Sequence, residues 1–254
     1  MNPMLVGNDT TISPKGHVVR TVIWGQPIYF TITDGKDSIQ RHHRNGAFYE
    51  PEELEIIRQF CPPGAVYCDI GTNIGNHALF ALKFLGVEKA ILFEPNPKAI
   101  EILMSNLALN GVLPRCDLQH LGVGLSDQAQ DGLGIDAPKG NLGGGQMLEG
   151  TGDLRVITGD QALADTHVDF IKIDVEGMEM KALGGLSETI ARCRPRIFIE
   201  LDRQNKEDFI RWVKSNRYEI AAQFKRYRVN ENFLLVPRPP SGRAAKTLAE
   251  GTEA

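Results

Sequence analysis

The residues Asp69–Gly75 carry the pattern DxGxNxG and follow a short apolar run, Ala65–Ile70. Gly71 and Gly75 allow a tight turn and let a ligand approach the backbone closely. A dinucleotide phosphate loop has the pattern GxGxxG instead, and it keeps carboxylates away from the phosphates. Asp69 places a carboxylate where the turn begins, so the segment favours a ligand with a positive amino group over a pyrophosphate. A strand–turn–helix connection without a ligand is the alternative interpretation.

A second carboxylate, Glu94, follows the apolar run Ala90–Phe93 and stands 19 positions after Gly75. An acidic residue about 20 positions after such a turn can accept both hydroxyls of a ribose. Combined with the glycine turn, Glu94 predicts a ribose-containing ligand, whereas alone it would be interpreted as a solvated loop residue. Further along, Leu121–Asp127 follows another predicted strand. Leu125 or its neighbours could line an adenine pocket there through backbone groups, and an ordinary turn is an equal alternative.

Asp169–Gly177 is the third segment whose residues could take part in binding or catalysis. Strand alternation places Phe170, Lys172 and Asp174 on one face, and a lysine in an apolar strand is costly unless its charge is paired or used. A structural ion pair is one interpretation of Lys172. Asp174 and Glu176 stand at the strand end as candidates for a general base or for orienting a substrate. Two close carboxylates also shift each other's pKa, which could leave one able to accept a proton.

Alternating strand and helix patterns from residue 65 onward must position these segments. The predicted strands are Ala65–Ile70, Ala90–Phe93, Asp117–Val123, Val168–Val175, Pro195–Leu201, Tyr218–Phe224 and Asn232–Val236. The predicted helices are about Pro51–Phe60, Asn76–Leu85, one that Asn96 caps and Gly111 ends, Met178–Arg192 and Lys206–Ser215. This alternation predicts an α/β fold with a mostly parallel sheet covered on both faces, and an antiparallel pair at the end. Ligands bind such sheets at the carboxyl ends of the strands, where the strand order reverses.

The rest of the chain divides around this unit. His17–Thr33 predicts a β-hairpin, and residues 34–45 form a polar stretch to which no element is assigned. Residues 126–155 are a Gly-rich insertion. Residues 1–16 are interpreted as a loose lead-in and residues 238–254 as a disordered tail. We therefore predict an N-terminal extension at 1–60, a ligand-binding domain at 61–237 and the tail.

Composition excludes several classes of protein. The chain has 254 residues, of which 42% are hydrophobic and 24% charged, as in globular domains. Its net charge of −4 makes a general nucleic-acid binder a poor candidate. Apolar runs fall far short of the roughly 18 residues that span a bilayer, and no secretory signal is recognisable. Four scattered cysteines favour a cytoplasmic protein without disulfides or zinc.

Histidines are weaker candidates for chemistry. The adjacent pair His42 and His43 would point to different faces of an extended segment, so we predict no metal site there. His77 follows the glycine turn, but a histidine at a helix start is more often a structural hydrogen-bonding group.

Taken together, Asp69–Asn76, Phe93–Pro97 and Asp169–Glu179 resemble the class I S-adenosylmethionine-dependent methyltransferases, and specifically the FkbM-type family. The third segment is the most distinctive of that family. Phe48–Pro51 and Asn141–Gly144 are also similar to it. The resemblance runs from about residue 45 to residue 236, and weakly back to residue 27.

This resemblance implies a three-layer, doubly wound, mostly parallel seven-stranded sheet of the Rossmann-like methyltransferase fold, here with an N-terminal β-hairpin extension. It implies S-adenosylmethionine as cofactor, with Asp69, Gly71, Asn73 and Gly75 at its methionine end and Glu94 at its ribose. The cofactor-binding residues predicted on both grounds are Asp69, Gly71, Thr72, Asn73, Gly75, Asn76, Glu94, Leu125 and Asp174. Thr72 stands where the family often has alanine.

The resemblance also implies an O-methylating enzyme, with Asp174 and Glu176 as the candidate catalytic residues. The acceptor would be a hydroxyl on a small molecule or glycan, such as a sugar, a natural product or a lipid-linked glycan. We expect Tyr49, Glu50 and the 126–155 insertion to shape the acceptor pocket. Two alternatives remain: a nicotinamide-dependent oxidoreductase, which the absence of GxGxxG disfavours, and a non-catalytic cofactor-binding module.

Overall fold

The computed structural model describes residues 15–136, 142, 145–150, 152–226 and 229–239. The first 14 residues of the predicted lead-in and the predicted tail from residue 240 lie outside this part of the chain. In chain order the α-helices and β-strands are β1 (His17–Ile23), β2 (Gln26–Ile32), α1 (Ser38–Arg44), α2 (Pro51–Phe60), β3 (Val66–Ile70), α3 (Asn76–Phe80), β4 (Lys89–Phe93), α4 (Pro97–Leu109), β5 (Cys116–Asp117), β6 (Val123–Leu125), β7 (Gln130–Asp136), β8 (Gln146–Glu149), β9 (Leu154–Ile157), α5 (Gly159–Ala162), β10 (Phe170–Ile173), α6 (Glu179–Gly185), α7 (Ser187–Cys193), β11 (Arg196–Asp202), α8 (Lys206–Ser215), β12 (Tyr218–Phe224) and β13 (Asn230–Pro237). A π-helical stretch, Ala81–Leu85, continues α3, and 3₁₀ helices lie at Leu113–Arg115 and Arg203–Asn205.

Seven strands form the main sheet, in the order β12-β13-β11-β10-β3-β4-β5. β3, β4, β5, β10 and β11 are parallel to one another, and β13 runs antiparallel to both of its neighbours. The chain moves outward from β3 through β4 to β5 and then returns to β10 on the other side. The strand order therefore reverses between β3 and β10, so Gly71 and Asp174, just past these strands, lie side by side.

Two apolar layers cover this sheet, as strand alternation requires. Tyr67 and Phe170 face a core shared with β2, α2, α3 and α4. Cys68 and Ile171, the next residues along, face a second core shared with α6, α7 and α8. The structure thus confirms the predicted three-layer, mostly parallel sheet with its terminal antiparallel pair.

The N-terminal segment packs onto the first of these cores. β1 and β2 form the predicted antiparallel hairpin, with His17 opposite Ile32. Helix α1 occupies the polar stretch to which the sequence assigned no element. The Asp37 side chain caps α1, because its carboxylate accepts hydrogen bonds from the backbone N–H groups of Ile39 and Gln40. At seven residues, α1 is too short to show a clear apolar period.

The structure differs from the sequence prediction in three further places. In the predicted strand Asp117–Val123, only Asp117 belongs to the main sheet, and Val123 starts β6. The Gly-rich insertion contains β7, β8 and β9, which join β6 in a second sheet of order β6-β9-β7-β8. These strands escaped prediction because β8 and β9 have four residues each and Gly132 and Gly134 interrupt β7.

The predicted helix Met178–Arg192 is two helices, α6 and α7, which meet at Leu186. A Cβ on Gly185 would lie 2.1 Å from the carbonyl oxygen of Ser126. The helical segment therefore touches the backbone that follows β6, and only glycine allows that approach.

Candidate active site

A cavity of about 360 Å³ opens at the carboxyl ends of β4, β3, β10 and β11 and at the start of β13. This volume is in the range of small-molecule sites. Among the described residues, the wall of this cavity includes Tyr49, Glu50, Gly71, Thr72, Asn73, Asn76, His77, Phe93, Glu94, Pro95, Asn96, Val123, Gly124, Leu125, Leu142, Lys172, Asp174, Glu176, Glu200 and Asn230. Most of the predicted site residues thus share one cavity.

The two glycines of the first motif are required by contacts within the chain. Gly71 has a φ of +77°, and a Cβ there would lie 1.9 Å from the carbonyl oxygen of Asp174. Gly75 has a φ of +87°, and its Cβ would lie 2.6 Å from Cδ1 of Leu103. The backbone N–H groups of Gly71 and Thr72 both donate to the Phe93 carbonyl oxygen. The turn is therefore clamped between β4 and the end of β10.

Lys172 joins the first and third motifs beneath the cavity. Its buried Nζ donates to the Gly71 carbonyl oxygen at 2.9 Å and lies 3.4 Å from carboxylate oxygens of both Asp69 and Asp174. Burial alone would lower the pKa of the ammonium group, but the two carboxylates raise it above its usual value. The ion-pair interpretation of Lys172 is therefore confirmed.

Asp69 lies under the cavity, because its side chain is fully buried and does not line the wall. Its carboxylate also accepts a hydrogen bond from the Thr72 hydroxyl at 3.0 Å. Gly75 likewise contributes no surface to the wall. Direct contacts from Asp69 and Gly75 to a cofactor stay predictions. What the structure shows is that Asp69 holds Lys172 and Thr72 in place.

Glu94 presents a fixed carboxylate in the cavity wall. One oxygen accepts from the backbone N–H of Asn73 at 2.7 Å, and the other accepts from the N–H of Asn96 at 2.8 Å. Each oxygen keeps a further lone pair for a ligand. Burial raises the pKa of Glu94 to about 7, although the two N–H donors oppose the shift. Asn73 also lines the cavity, and its buried Oδ1 has no hydrogen-bond partner among the described residues.

An apolar wall lies beside Glu94, where β6 brings Val123 and Leu125 next to Phe93 and Pro95. Leu142, from the Gly-rich insertion, completes it.

Two hydrogen bonds hold Leu142 there. Its N–H donates to the Asp37 carboxylate at 3.0 Å, and its carbonyl accepts from the Asn96 amide at 3.4 Å. The sequence assigned no contact to this segment, and only the similarity of Asn141–Gly144 to the family pointed to it.

Asn76 ties the N-terminal segment to the first motif. Its Oδ1 accepts from the Tyr49 N–H at 2.9 Å and from Nε2 of His43 at 3.0 Å, and its Nδ2 donates to the Tyr49 carbonyl at 3.0 Å. His43 stacks on Phe30, and burial lowers its pKa to about 4, so the ring is neutral. Both polar atoms of Asn76 are thus engaged within the chain, and its contact with a cofactor stays a prediction.

The far end of the cavity, over β10, β11 and β13, is acidic. Glu50, Glu176 and Glu200 all contribute carboxylates to its wall. The Glu200 carboxylate accepts from the Asn230 amide at 2.7 Å. Burial is the largest cause of raised pKa values here, followed by the Asp174 charge: to about 8 for Glu50, about 7 for Glu176 and about 9 for Glu200.

Sequence reasoning missed Glu200 and Asn230, because neither belongs to a motif. One signal could have found Glu200: it is an acidic residue near the end of a predicted parallel strand, as Glu94 and Asp174 are. Glu50 and Tyr49 do line the cavity, as expected.

His77 lies behind Glu50, with its Nε2 3.7 Å from a Glu50 carboxylate oxygen. Burial and the Lys172 charge hold the pKa of His77 well below its usual value, so the imidazole is neutral. Within the described residues, no group of three or more His, Cys, Asp or Glu side chains is arranged to hold a metal ion. Nor does that part of the chain contain a helix with the length and apolar character to cross a bilayer.

A doubly wound sheet with a glycine turn after its first parallel strand and a carboxylate after the second defines an α/β site for a ligand that contains a nucleoside. Residues 69–226 match the family model of the methyltransferase FkbM domain, which is more than half of the chain. The protein therefore belongs to the FkbM methyltransferase family. This membership confirms the predicted family and supports S-adenosylmethionine as cofactor.

Solved structures share the fold at low sequence identity. A methyltransferase FkbM from Methylobacillus flagellatus is 17% identical with a TM-score of 0.55, over 80% of this chain and 56% of that one. The tRNA methyltransferase TrmK of B. subtilis is 13% identical with a TM-score of 0.50, over 75% of this chain and 68% of the other. This chain therefore spans little more than half of the FkbM structure. No curated protein matches the sequence significantly.

Proposed function

We propose that this protein transfers a methyl group from S-adenosylmethionine to a hydroxyl group of a small molecule or glycan. One observation carries the proposal: a single cavity holds a fixed carboxylate suited to a ribose, Glu94, at one end and proton-accepting carboxylates at the other. Membership of the FkbM methyltransferase family supports the reaction type.

The residues present fit this cofactor. The free lone pairs of Glu94 suit the two ribose hydroxyls, and the unpartnered Oδ1 of Asn73 suits an N–H or O–H donor. Leu125 and its neighbours offer an apolar surface for the adenine ring. Gly71, Thr72 and Asp174 would lie along the methionine part. We assign Asp69 and Gly75, which lie behind the wall, and Asn76, which lies in it, the role of holding these residues in place.

Bound at this site, S-adenosylmethionine supplies a methyl group activated by its sulfonium centre. The chain holds the acceptor hydroxyl in line with that methyl, and orientation of this kind contributes up to roughly 7–11 kcal/mol. Glu176 would accept the proton of the acceptor hydroxyl, and a bound S-adenosylmethionine would supply the electrophilic methyl group together with its sulfur as leaving group. A base contributes roughly 10²–10⁴-fold when its pKa is near the working pH, and that of Glu176 is about 7. Asp174, paired with Lys172, orients the acceptor.

The test uses a cell extract, the purified protein and S-adenosylmethionine labelled in the methyl group. Mass spectrometry should find the label as an ether on a hydroxyl compound. Glu94→Ala, with weakened cofactor binding, serves as the control. Label on a nitrogen atom or in nucleic acid would contradict the O-methylation proposal, and absence of cofactor binding by calorimetry would contradict methyl transfer altogether.

A further inference from the structure

We propose that the acidic end of the cavity binds a positively charged group, so that the acceptor is an amine-bearing hydroxyl compound, such as an amino alcohol or amino sugar. We call Glu50, His77, Glu176 and Glu200 the amine subsite. The inference deepens the proposed function and rests on it. Four observations carry it: the position of the subsite, its charge balance, an unpartnered histidine and the burial of its carboxylates.

The position follows from the strand order. Glu94 follows β4 and Glu200 belongs to β11, three strand spacings away in the order β4-β3-β10-β11. Neighbouring strands lie about 4.8 Å apart, so the two ends are separated by about 14 Å. With the ribose at Glu94 and the methionine part over β3 and Asp174, the space beyond Asp174, over β11 and β13, is left for the acceptor.

Acidic side chains outnumber basic ones in this space. Glu50, Glu176 and Glu200 line it, and Lys172 is the one lysine or arginine among the described lining residues. The Lys172 ammonium already contacts Asp69, Asp174 and the Gly71 carbonyl. The partner of Glu200 is a neutral amide, that of Asn230. Within the described wall, these three carboxylates therefore have no cation of their own.

His77 gives independent support for a ligand site here. The residue is 7% exposed and lines the cavity, and within the described part of the chain its Nε2 has no hydrogen-bond partner. Buried polar groups in proteins are nearly always paired. With the ring proton on Nδ1, the neutral imidazole accepts at Nε2, 3.7 Å from the Glu50 carboxylate. An ammonium group has several N–H donors and can satisfy both residues at once.

Burial of the subsite explains its selectivity. The pKa values of Glu50 and Glu200 rise to about 8 and about 9 because burial and nearby like charges penalise the ionised forms. The charged groups that face Glu50 are Asp174, Glu53, Lys172 and Arg226, besides the neutral His77. A bound ammonium favours the ionised carboxylates, so binding near neutral pH should release protons. A bound anionic acceptor disfavours the ionised carboxylates instead.

The experiment uses ethanolamine, ethylene glycol and glycolate as minimal probes that share a hydroxyl but differ in charge. Each is titrated into protein saturated with S-adenosylhomocysteine, and binding is followed by NMR. Ethanolamine should bind saturably and at least 10-fold more tightly than ethylene glycol, while glycolate should not bind. Calorimetry in buffers of different ionisation enthalpy should show protons released when ethanolamine binds at pH 7. Equal affinity for ethanolamine and ethylene glycol would overturn the proposal.

Substitutions in the amine subsite test whether the preference for ethanolamine arises there. Glu200→Gln and Glu50→Gln should each lower ethanolamine affinity about 10-fold or more, and the exposed control Glu219→Gln should leave it unchanged. Unchanged affinity in both subsite variants would also overturn the proposal. S-adenosylhomocysteine binding is measured first, in each variant. Failure of the parent protein to bind S-adenosylhomocysteine would contradict the proposed function. Normal S-adenosylhomocysteine binding without a preference for ethanolamine would contradict this inference alone.

Discussion

The carbonyl oxygen of Asp174 occupies the space that a Cβ on Gly71 would need, 1.9 Å from the ideal position of that atom. The two residues stand 103 positions apart in the sequence and follow adjacent parallel strands. Their contact brings the first and third motifs together at the point where the strand order reverses. The cavity therefore depends on a residue without a side chain at this position.

Gly71→Ala should separate the ends of β3 and β10. An alanine at this positive φ costs about 1–3 kcal/mol of folding free energy. The backbone shift that is needed to avoid the clash with Asp174 adds to that cost. We expect lower stability in urea and lost cofactor binding by calorimetry. Gly86→Ala is the matched control, because Gly86 also has a positive φ but nothing lies within 4 Å of its added Cβ. Equal losses in the two variants would show that the contact is unimportant.

Glu94→Ala should weaken cofactor binding through loss of charge-assisted hydrogen bonds to the ribose. Such a bond contributes about 1.5–3 kcal/mol, which corresponds to about 10- to 100-fold in affinity. Calorimetry with S-adenosylmethionine measures the change directly. The exposed Glu88→Ala serves as control. If Glu94→Ala binds the cofactor as the parent does, this assignment of Glu94 is wrong.

Lys172→Met should destabilise the fold, because it leaves the buried Asp69 carboxylate without a cation. Breaking a buried ion pair by removing one partner typically costs about 3–5 kcal/mol. The double variant Lys172→Met with Asp69→Asn should recover part of that loss, since the buried charge is then removed. Urea denaturation of the single and double variants measures both effects. A double variant less stable than Lys172→Met would refute the ion-pair explanation.

The stability of the ligand-free protein should fall as the pH rises from about 7 to 9. Glu50 and Glu200 have folded-state pKa values of about 8 and about 9, above those of an unfolded chain. Such groups contribute their stability below the unfolded pKa and lose it as the pH rises through the folded pKa. The slope reaches at most about 1.4 kcal/mol per pH unit for each carboxyl.

The buried histidines do not contribute to the change in stability between pH 7 and 9, because His43 and His77 are neutral in both the folded and the unfolded state above pH 7. Thermal unfolding from pH 7 to 9 checks the prediction, and Glu50→Gln with Glu200→Gln should make the fall in stability less steep. A parent curve that is already flat would mean that these carboxyls are ionised in the folded protein.

Most of the parallel sheet was predictable from the sequence, because buried strands and well-capped helices carry local signals. α8 and β12 have their predicted bounds, and Asn96 caps α4 as predicted. α1 and the second sheet were missed, because their stability comes from side-chain capping and from pairing between short distant strands.

The sequence by itself determined the family and the three motif segments, since residue type and spacing within each motif are local properties. Tertiary structure decided the roles within those segments. It placed Asp69 beneath the wall with Lys172, and it engaged Asn76 with Tyr49 and His43. It also brought Glu200 to Glu50 across 150 positions of sequence. Such contacts depend on strand order and burial, which no single segment of the chain encodes.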